Sequence, residues 1–193
     1  SGAFNEHACD PYFRRSNLPT RNLMLLGNFN MTNLGQLNAK LIERGQHPIF
    51  DTDTQTVLEE IGFHLDEMHQ DLYHELRDRG MPGDEIPDVI SQRLDIPTIL
   101  RQSSEWWDGG YTIAGLIGNG DCFVLRDPNG IRPCYYFEDE EMVAFASERV
   151  PLMTVLGAAE AEARAPTPGH VVTVRQDGQA RNARFAPERP KPP

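Results

Sequence analysis

Apolar residues recur at helical spacing in the first half of the chain and form short runs in the second half. The run at residues 22–27 predicts a strand that ends in a glycine. A helix is predicted next, with Thr32 or Asn33 as its N-cap, and it reaches about Glu43 before Gly45 stops it. The first half therefore opens with a strand that leads into a helix.

A second, longer helix is predicted to follow, with Asp53 or Thr54 as its N-cap. Its apolar positions recur every three to four residues, which is typical of a helix with one buried face. These positions are Val57, Leu58, Ile61, Leu65, Met68 and Leu72. The break "RDRGMPGDE" ends this helix, and a third is predicted over residues 84–94, continuing toward Arg101 beyond Pro97.

The second half reads as antiparallel strands joined by turns. "GYTIAGLIG" and "DCFVLRD" form a hairpin through "NGD", and the last hairpin turns at Asp177-Gly178. Between them lie the strands "IRPCYYFED" and "EMVAFASE" and a short helix that Gly157 closes. Helices followed by antiparallel strands predict an α+β fold and not alternating βαβ units. We expect one domain over residues 1–186, with the proline-rich residues 187–193 as an exit linker.

Composition and charge narrow the range of partners. The formal net charge of −11 repels a phosphate backbone, so no nucleic-acid partner is expected. No apolar run approaches the ~20 residues that span a bilayer, so no membrane partner is expected. The three cysteines, Cys9, Cys122 and Cys134, form no CxxC pair. They fit a reduced, cytoplasmic protein without a metal or an iron–sulfur cluster in this domain.

Other polar clusters have ordinary structural explanations. His64, His69 and His74 are five residues apart, so they do not share a helical face and are expected to be solvated or rim histidines. "EDEE" at residues 138–141 fits a solvated hairpin turn. The pair Trp106-Trp107 fits core packing beside the start of a strand.

The stretch "LMLLGNFNMTN" carries the most distinctive candidate chemistry. A strand end that exposes Asn28 and Phe29 can direct a side-chain amide and a backbone N–H to one point, as an oxyanion hole requires. Asp53, at a helix start, can either cap that helix or hold the ammonium group of a ligand. Asn-rich turns and Asp N-caps are also common without any function, so the pattern alone leaves both interpretations open.

The order of several motifs resembles the class II glutamine amidotransferases, which belong to the N-terminal-nucleophile hydrolases. "GNFNMTN" is similar to that family's "HNGNLTN", and "FDTDTQTVLE" to its "TSDTEVI". "RDPNGIRP", "AFASERVPLMTVLG" and "PGHVVTV" match later family segments in the same order. Within the family, "RDPNGIRP" is closest to the amidophosphoribosyltransferase branch of de novo purine synthesis.

The resemblance implies a four-layer αββα sandwich and a glutaminase that hydrolyses glutamine to supply ammonia. Asn28, through its side chain, and Phe29, through its backbone N–H, would form the oxyanion hole. Asp53 would bind the α-ammonium group of the substrate glutamine. The implied partners are glutamine and a phosphoribosyltransferase or synthase domain in the parent protein, with no cofactor in this domain.

The sequence departs from the family pattern at several positions. Phe29 replaces the family glycine, and Gln55 replaces an acidic residue. The family nucleophile is an N-terminal cysteine. Ser1 does not match it, because too few residues separate Ser1 from "DPYF", and Cys9 is internal. We therefore expect the nucleophile to be absent from this chain, the αββα fold to be incomplete at its N-terminus, and the chain alone to be inactive.

Three hypotheses remain open on the sequence. The chain is part of an amidophosphoribosyltransferase-like enzyme, or a class II amidotransferase domain of another synthase, or a degenerate regulatory or binding domain that catalyses nothing. Missing central strands would leave unpaired edges and exposed apolar faces. We therefore expect a homo-oligomer, a partner segment or marginal stability.

Overall fold

A computed structural model describes residues 11–47 and 52–186 of the 193-residue chain. The expectations for Ser1, Cys9 and the linker at 187–193 lie outside these residues. The helices are α1 (Leu34–Glu43), α2 (Asp53–Asp78), α3 (Ile86–Arg93), α4 (Ile96–Ser103) and α5 (Arg149–Leu156). The strands are β1 (Tyr12–Arg14), β2 (Leu23–Met31), β3 (Gly109–Ile117), β4 (Cys122–Arg126), β5 (Tyr135–Glu138), β6 (Val143–Ala146), β7 (His170–Val174) and β8 (Ala180–Arg184).

The strands form two antiparallel sheets. The larger sheet has the order β1-β2-β3-β4-β7-β8, and β5 pairs with β6 in a second sheet. The predicted hairpins β3–β4 and β7–β8 are confirmed. So is the short helix α5, which ends at Gly157 with a φ of 70°, a conformation that favours glycine. Helices and antiparallel strands are both present, and the α+β class is confirmed.

Two helix boundaries differ from the sequence prediction. The N-cap of α2 is Thr52, whose hydroxyl accepts a hydrogen bond from the Gln55 N–H at 3.3 Å. Asp53 therefore lies in the first turn, and the prediction of Asp53 or Thr54 as the cap was wrong. The predicted third helix is two helices, α3 and α4, because the chain extends at Leu94 and Asp95 caps α4.

The main core lies between one face of the large sheet and the helices α1, α2 and α4. Leu23, Leu25 and Met31 of β2 point into it, as do Tyr111, Ile113 and Ile117 of β3, because side chains alternate along a strand. The core includes Leu23, Leu25, Tyr111, Ile113, Val57, Leu58, Ile61, Leu65, Ile99 and Leu100. The predicted apolar face of α2 is thus confirmed for its first four residues. Met68 packs at the edge of this core and Leu72 against a smaller cluster.

The opposite face of the large sheet is only partly covered. Phe13 lies opposite Met24 on β2, and Met24 lies opposite Leu116 on β3. Phe13, Leu26 and Leu116 are 46%, 51% and 46% exposed. The expected exposed apolar face is therefore present among the described residues, whereas the homo-oligomer stays a prediction. No helix in the described part of the chain is long and apolar enough to cross a bilayer.

Candidate active site

The backbone of β2 determines where Asn28 and Phe29 direct their polar groups. The sequence predicted that the strand ends at residue 27, but β2 continues to Met31, so the prediction of a strand end at Asn28 was wrong. Pairing with β3 is one-to-one over this whole length, with Asn28 opposite Thr112 and Phe29 opposite Tyr111. Continuous pairing fixes which backbone groups bond to β3 and which face away.

Even-numbered residues of β2 turn their backbone groups toward β3. At one end the Gly118 N–H donates to the carbonyl of Asn22, and at the other the Thr32 N–H donates to the carbonyl of Asp108. Residues along an antiparallel strand alternate between the two sides. The N–H of Phe29, an odd-numbered residue, therefore points to the edge of β2 opposite β3. Among the described residues, β1 pairs with that edge only as far as Leu25.

The side chain of Asn28 lies on the exposed face of the sheet and is itself exposed. Its amide makes no hydrogen bond to any described residue. Asn28 lines a groove of about 580 Å³. The groove also contains Thr54 of α2, Thr112 of β3 and Phe145 of β6. An uncommitted amide and a backbone N–H thus come from adjacent residues beside a groove of ligand size.

Asp53 is held directly to β2. Its Oδ2 accepts a hydrogen bond from the Met31 N–H at 2.7 Å, which points to the same edge of the strand as the Phe29 N–H. Its Oδ1 has no hydrogen-bond partner among the described residues. Asp53 thus does not cap α2, and it presents one free carboxylate oxygen near the edge where Phe29 directs its N–H.

One wall of the groove is the loop that follows β4, which contains the motif "RDPNGIRP". The buried carboxylate of Asp127 accepts hydrogen bonds at 3.0 Å from the N–H groups of Asn129, Ile131 and Arg132. The Arg126 guanidinium donates to the carbonyls of Gly130, Arg132 and Pro166. The two charged residues of the motif therefore fix the loop.

The fixed loop crosses the exposed face of β3. Ile131 lies so close to Gly110 that a Cβ at Gly110 would meet its side chain at 2.7 Å. The Thr112 hydroxyl donates to the carbonyl of Pro133 at 3.3 Å. Pro133 and Cys134 then line the same groove as Asn28. Sequence reasoning missed Thr112 and Cys134, although the glycine at position 110 signalled a close approach to β3.

Cys134 lines the groove but is a poor nucleophile. Its side chain is buried, and burial raises the pKa of the thiol to about 11, although the nearby Arg126 charge lowers it. Near neutral pH almost all of the side chain is therefore the protonated thiol, whereas the thiolate is the reactive form. Cys134 therefore lines the groove as a protonated thiol near neutral pH.

The other candidate residues lie away from the groove. His64 pairs with Glu67 in α2, and His69 is 5% exposed, so the expectation of a solvated His69 was wrong. No three His, Cys, Asp or Glu side chains cluster as metal ligands within residues 11–47 and 52–186. Trp107 is buried against Tyr111, as expected. Trp106 is 53% exposed beneath Lys40, contrary to the core position expected for it.

Comparison with known proteins identifies the type of domain. The amidophosphoribosyltransferase of Pasteurella multocida (strain Pm70) is 32% identical over 139 residues, or 69% of this chain. Glutamine phosphoribosylpyrophosphate amidotransferase from B. subtilis, solved with ADP and GMP, superposes on 92% of this chain with a TM-score of 0.63 at 20% identity. This chain is an N-terminal-nucleophile glutamine amidotransferase-like domain. No protein-family model matches it.

A further structure, described as the allosteric regulatory enzyme of purine biosynthesis, also superposes on this amidotransferase-like domain. It covers 91% of the chain with a TM-score of 0.63 at 23% identity. At these identities the two structural matches establish the fold. The chain spans 24% of the Pasteurella protein and 31% of each of the two solved chains.

Proposed function

We propose that this domain is the glutamine-hydrolysing part of an amidophosphoribosyltransferase-like enzyme of de novo purine synthesis, where it supplies ammonia to a phosphoribosyltransferase domain. The observation that carries the proposal is the orientation of Asn28 and Phe29. The Asn28 side-chain amide makes no hydrogen bond to a described residue, and the adjacent Phe29 N–H faces the edge of β2 that lies opposite β3. Two donors from adjacent residues suit the oxyanion that forms when the glutamine side-chain amide is attacked.

The position of Asp53 fits the length of glutamine. The N–H groups of Phe29 and Met31 lie two residues apart on one strand edge, which is ~6.6 Å. Asp53 is bonded to the second of them. In extended glutamine, four bonds of ~1.5 Å place the α-nitrogen about 5 Å from the side-chain amide carbon. A substrate whose amide oxygen is held by Asn28 and Phe29 would therefore bring its ammonium group to Asp53 Oδ1.

The proposal assigns the attack on the amide to a group outside residues 11–47 and 52–186. The thiol of Cys134, the cysteine of the groove, is protonated near neutral pH. Attack by a thiolate would form an acyl-enzyme thioester and release ammonia, and water would then release glutamate. In this scheme the domain binds the substrate and stabilises the oxyanion in both steps.

The test is glutaminase activity of the intact protein with Asn28→Ala. Loss of one oxyanion donor should lower kcat by ~100-fold or more. Asn30→Ala is the matched control, because Asn30 is two residues farther along the same strand and exposed on the same face. The control should keep nearly the full rate. An unchanged rate in Asn28→Ala contradicts the oxyanion role, and no activity in the unaltered protein would favour a non-catalytic domain.

A further inference from the structure

A second cavity lies at the other end of β2. It has a volume of about 780 Å³, within the range of ligand sites. The cavity lies between the turn before β2, α2 and α3 and is open to solvent on one side, and its wall includes Arg21, His69, Tyr73, Ile86 and Ile90. Five residues of strand, or ~17 Å, separate the start of β2 from Asn28. The cavity is therefore distinct from the proposed glutamine site.

His69 is the buried polar group of this wall. Its Nδ1 lies 2.8 Å from the hydroxyl of Thr20, which is 4% exposed and has no other hydrogen-bond partner among the described residues. If Nδ1 donated the proton, the buried Thr20 hydroxyl would have no acceptor for its own proton. The Thr20 hydroxyl therefore donates to Nδ1, and the proton of the neutral ring is on Nε2.

The Nε2–H of His69 is available to a ligand. Nε2 has no hydrogen-bond partner among the described residues, and it is not among their enclosed, unpaired atoms. Burial lowers the pKa of His69, and the nearby Arg21 charge lowers it further, so the ring is neutral near pH 7. The wall of the cavity thus carries a fixed, uncharged donor.

The charge beside His69 is positive. Arg14 and Arg21 both pair with the single carboxylate of Asp66, which leaves one positive charge in excess. Arg21 donates to Gln70, but its buried Nε has no hydrogen-bond partner within the described part of the chain. The Asp88 carboxylate also lines the cavity but is exposed, so solvent screens it.

We propose that this cavity binds a small organic acid, with its carboxylate between Arg21 and the Nε2–H of His69 and its apolar body against Leu18, Tyr73 and Pro87. A charged acceptor suits a guanidinium and a neutral N–H donor. The apolar side chains supply the burial that most ligand sites provide. The site is independent of the proposed glutaminase function, because its residues do not line the groove at Asn28.

The experiment uses 3-phenylpropionate as the probe and 3-phenylpropanol as its uncharged counterpart. The ring C–H signals of His69 are followed by NMR at pH 7 without glutamine, and His69→Gln assigns them. The carboxylate should shift these signals saturably and bind about tenfold or more tightly than the alcohol. No saturable shift, or equal binding of the two probes, would overturn the proposal.

Arg21→Gln tests the charge, with Arg93→Gln as the matched control. Arg93 also pairs with a carboxylate on α2, that of Glu75, but does not line the cavity. Arg21→Gln should weaken binding of the carboxylate about tenfold and leave the alcohol unaffected. Equal weakening by both substitutions contradicts the site. If Arg21→Gln fails to fold, the comparison of the two probes on the unaltered chain still decides.

Discussion

Replacing Phe29 by proline removes the one group that the proposed oxyanion hole takes from that residue. The group is a backbone N–H, so most other substitutions at Phe29 leave it in place. Proline is normally excluded from strands because it removes a ladder hydrogen bond. The alternation of β2 places the Phe29 N–H on the side away from β3, so Phe29→Pro should break no bond to β3.

Phe29→Pro should mainly lower the rate of glutamine hydrolysis, whereas a proline at Asn30 should mainly lower the stability of the fold. Loss of one oxyanion donor raises the barrier to glutamine hydrolysis by about 3 to 4 kcal/mol, or ~100- to 1,000-fold in kcat. Asn30→Pro is the stability control, because the Asn30 N–H points toward Gly110 of β3. Asn30→Pro loses one hydrogen bond to β3 and leaves a carbonyl of β3 unpaired. Its free energy of unfolding should therefore fall about 1 to 3 kcal/mol further than that of Phe29→Pro, since the strain of a proline in the strand is common to both.

Two assays check this reasoning. Urea unfolding should show that Phe29→Pro is less destabilised than Asn30→Pro. Glutaminase activity of the intact protein should collapse in Phe29→Pro but persist in Phe29→Ala, which loses the ring and keeps the N–H. Equal destabilisation by the two prolines would show that the alternation of β2 is assigned wrongly. Equal activity of folded Phe29→Pro and Phe29→Ala would refute the backbone donor.

Two further predictions concern the loop that forms a wall of the groove. Asp127→Ala should lower the free energy of unfolding by about 3 to 5 kcal/mol in urea, because four N–H groups, three in the loop and that of Tyr111, lose a charged acceptor. Asp139→Ala removes an exposed acceptor of two N–H groups and should cost under ~1 kcal/mol; an equal loss in both variants would contradict the role of Asp127. Cys134 has a thiol pKa of about 11, so its alkylation by iodoacetamide, followed by mass spectrometry, should keep rising up to about pH 11 in the folded chain. Urea-unfolded chain should level off near the ordinary cysteine pKa of ~8.5, and a folded midpoint at that value would refute the burial argument.

Local signals were sufficient for much of the fold. The two hairpins were predicted because their turns contain glycine at positions such as Gly120 and Gly178, where φ is positive. The helix α2 was predicted from its apolar spacing. Its cap was missed because Thr52, Asp53 and Thr54 are all common N-cap residues, and only the extended backbone at Thr52 distinguishes them.

The errors arise where a distant segment decides the outcome. The continuation of β2 through Asn28 and Asn30 runs against the low strand propensity of asparagine. Those residues are held in the strand by their partners on β3, Thr112 and Gly110, which lie 84 and 80 positions later in the chain. The buried position of His69 likewise depends on the turn that carries Thr20. Periodicity along one helix does not predict contacts of that kind.

The residues of the candidate site could be selected from local sequence, whereas the directions of their donor groups depend on pairing with a distant strand. Asn28, Phe29 and Asp53 were selected from the sequence, and the strand orientation explains how the first two can supply different kinds of donor. Because Asn28 commits its backbone to β3, only its side chain is available, whereas Phe29 has its N–H on the opposite edge. A shift of the β2–β3 register by two residues would keep the Asn28 backbone directed at β3 and the Phe29 N–H directed at the opposite edge. A shift by one residue would exchange these two directions. The bond from Met31 to Asp53 is possible only in the observed alternation, so the same contact that holds Asp53 also fixes the direction of the Phe29 donor.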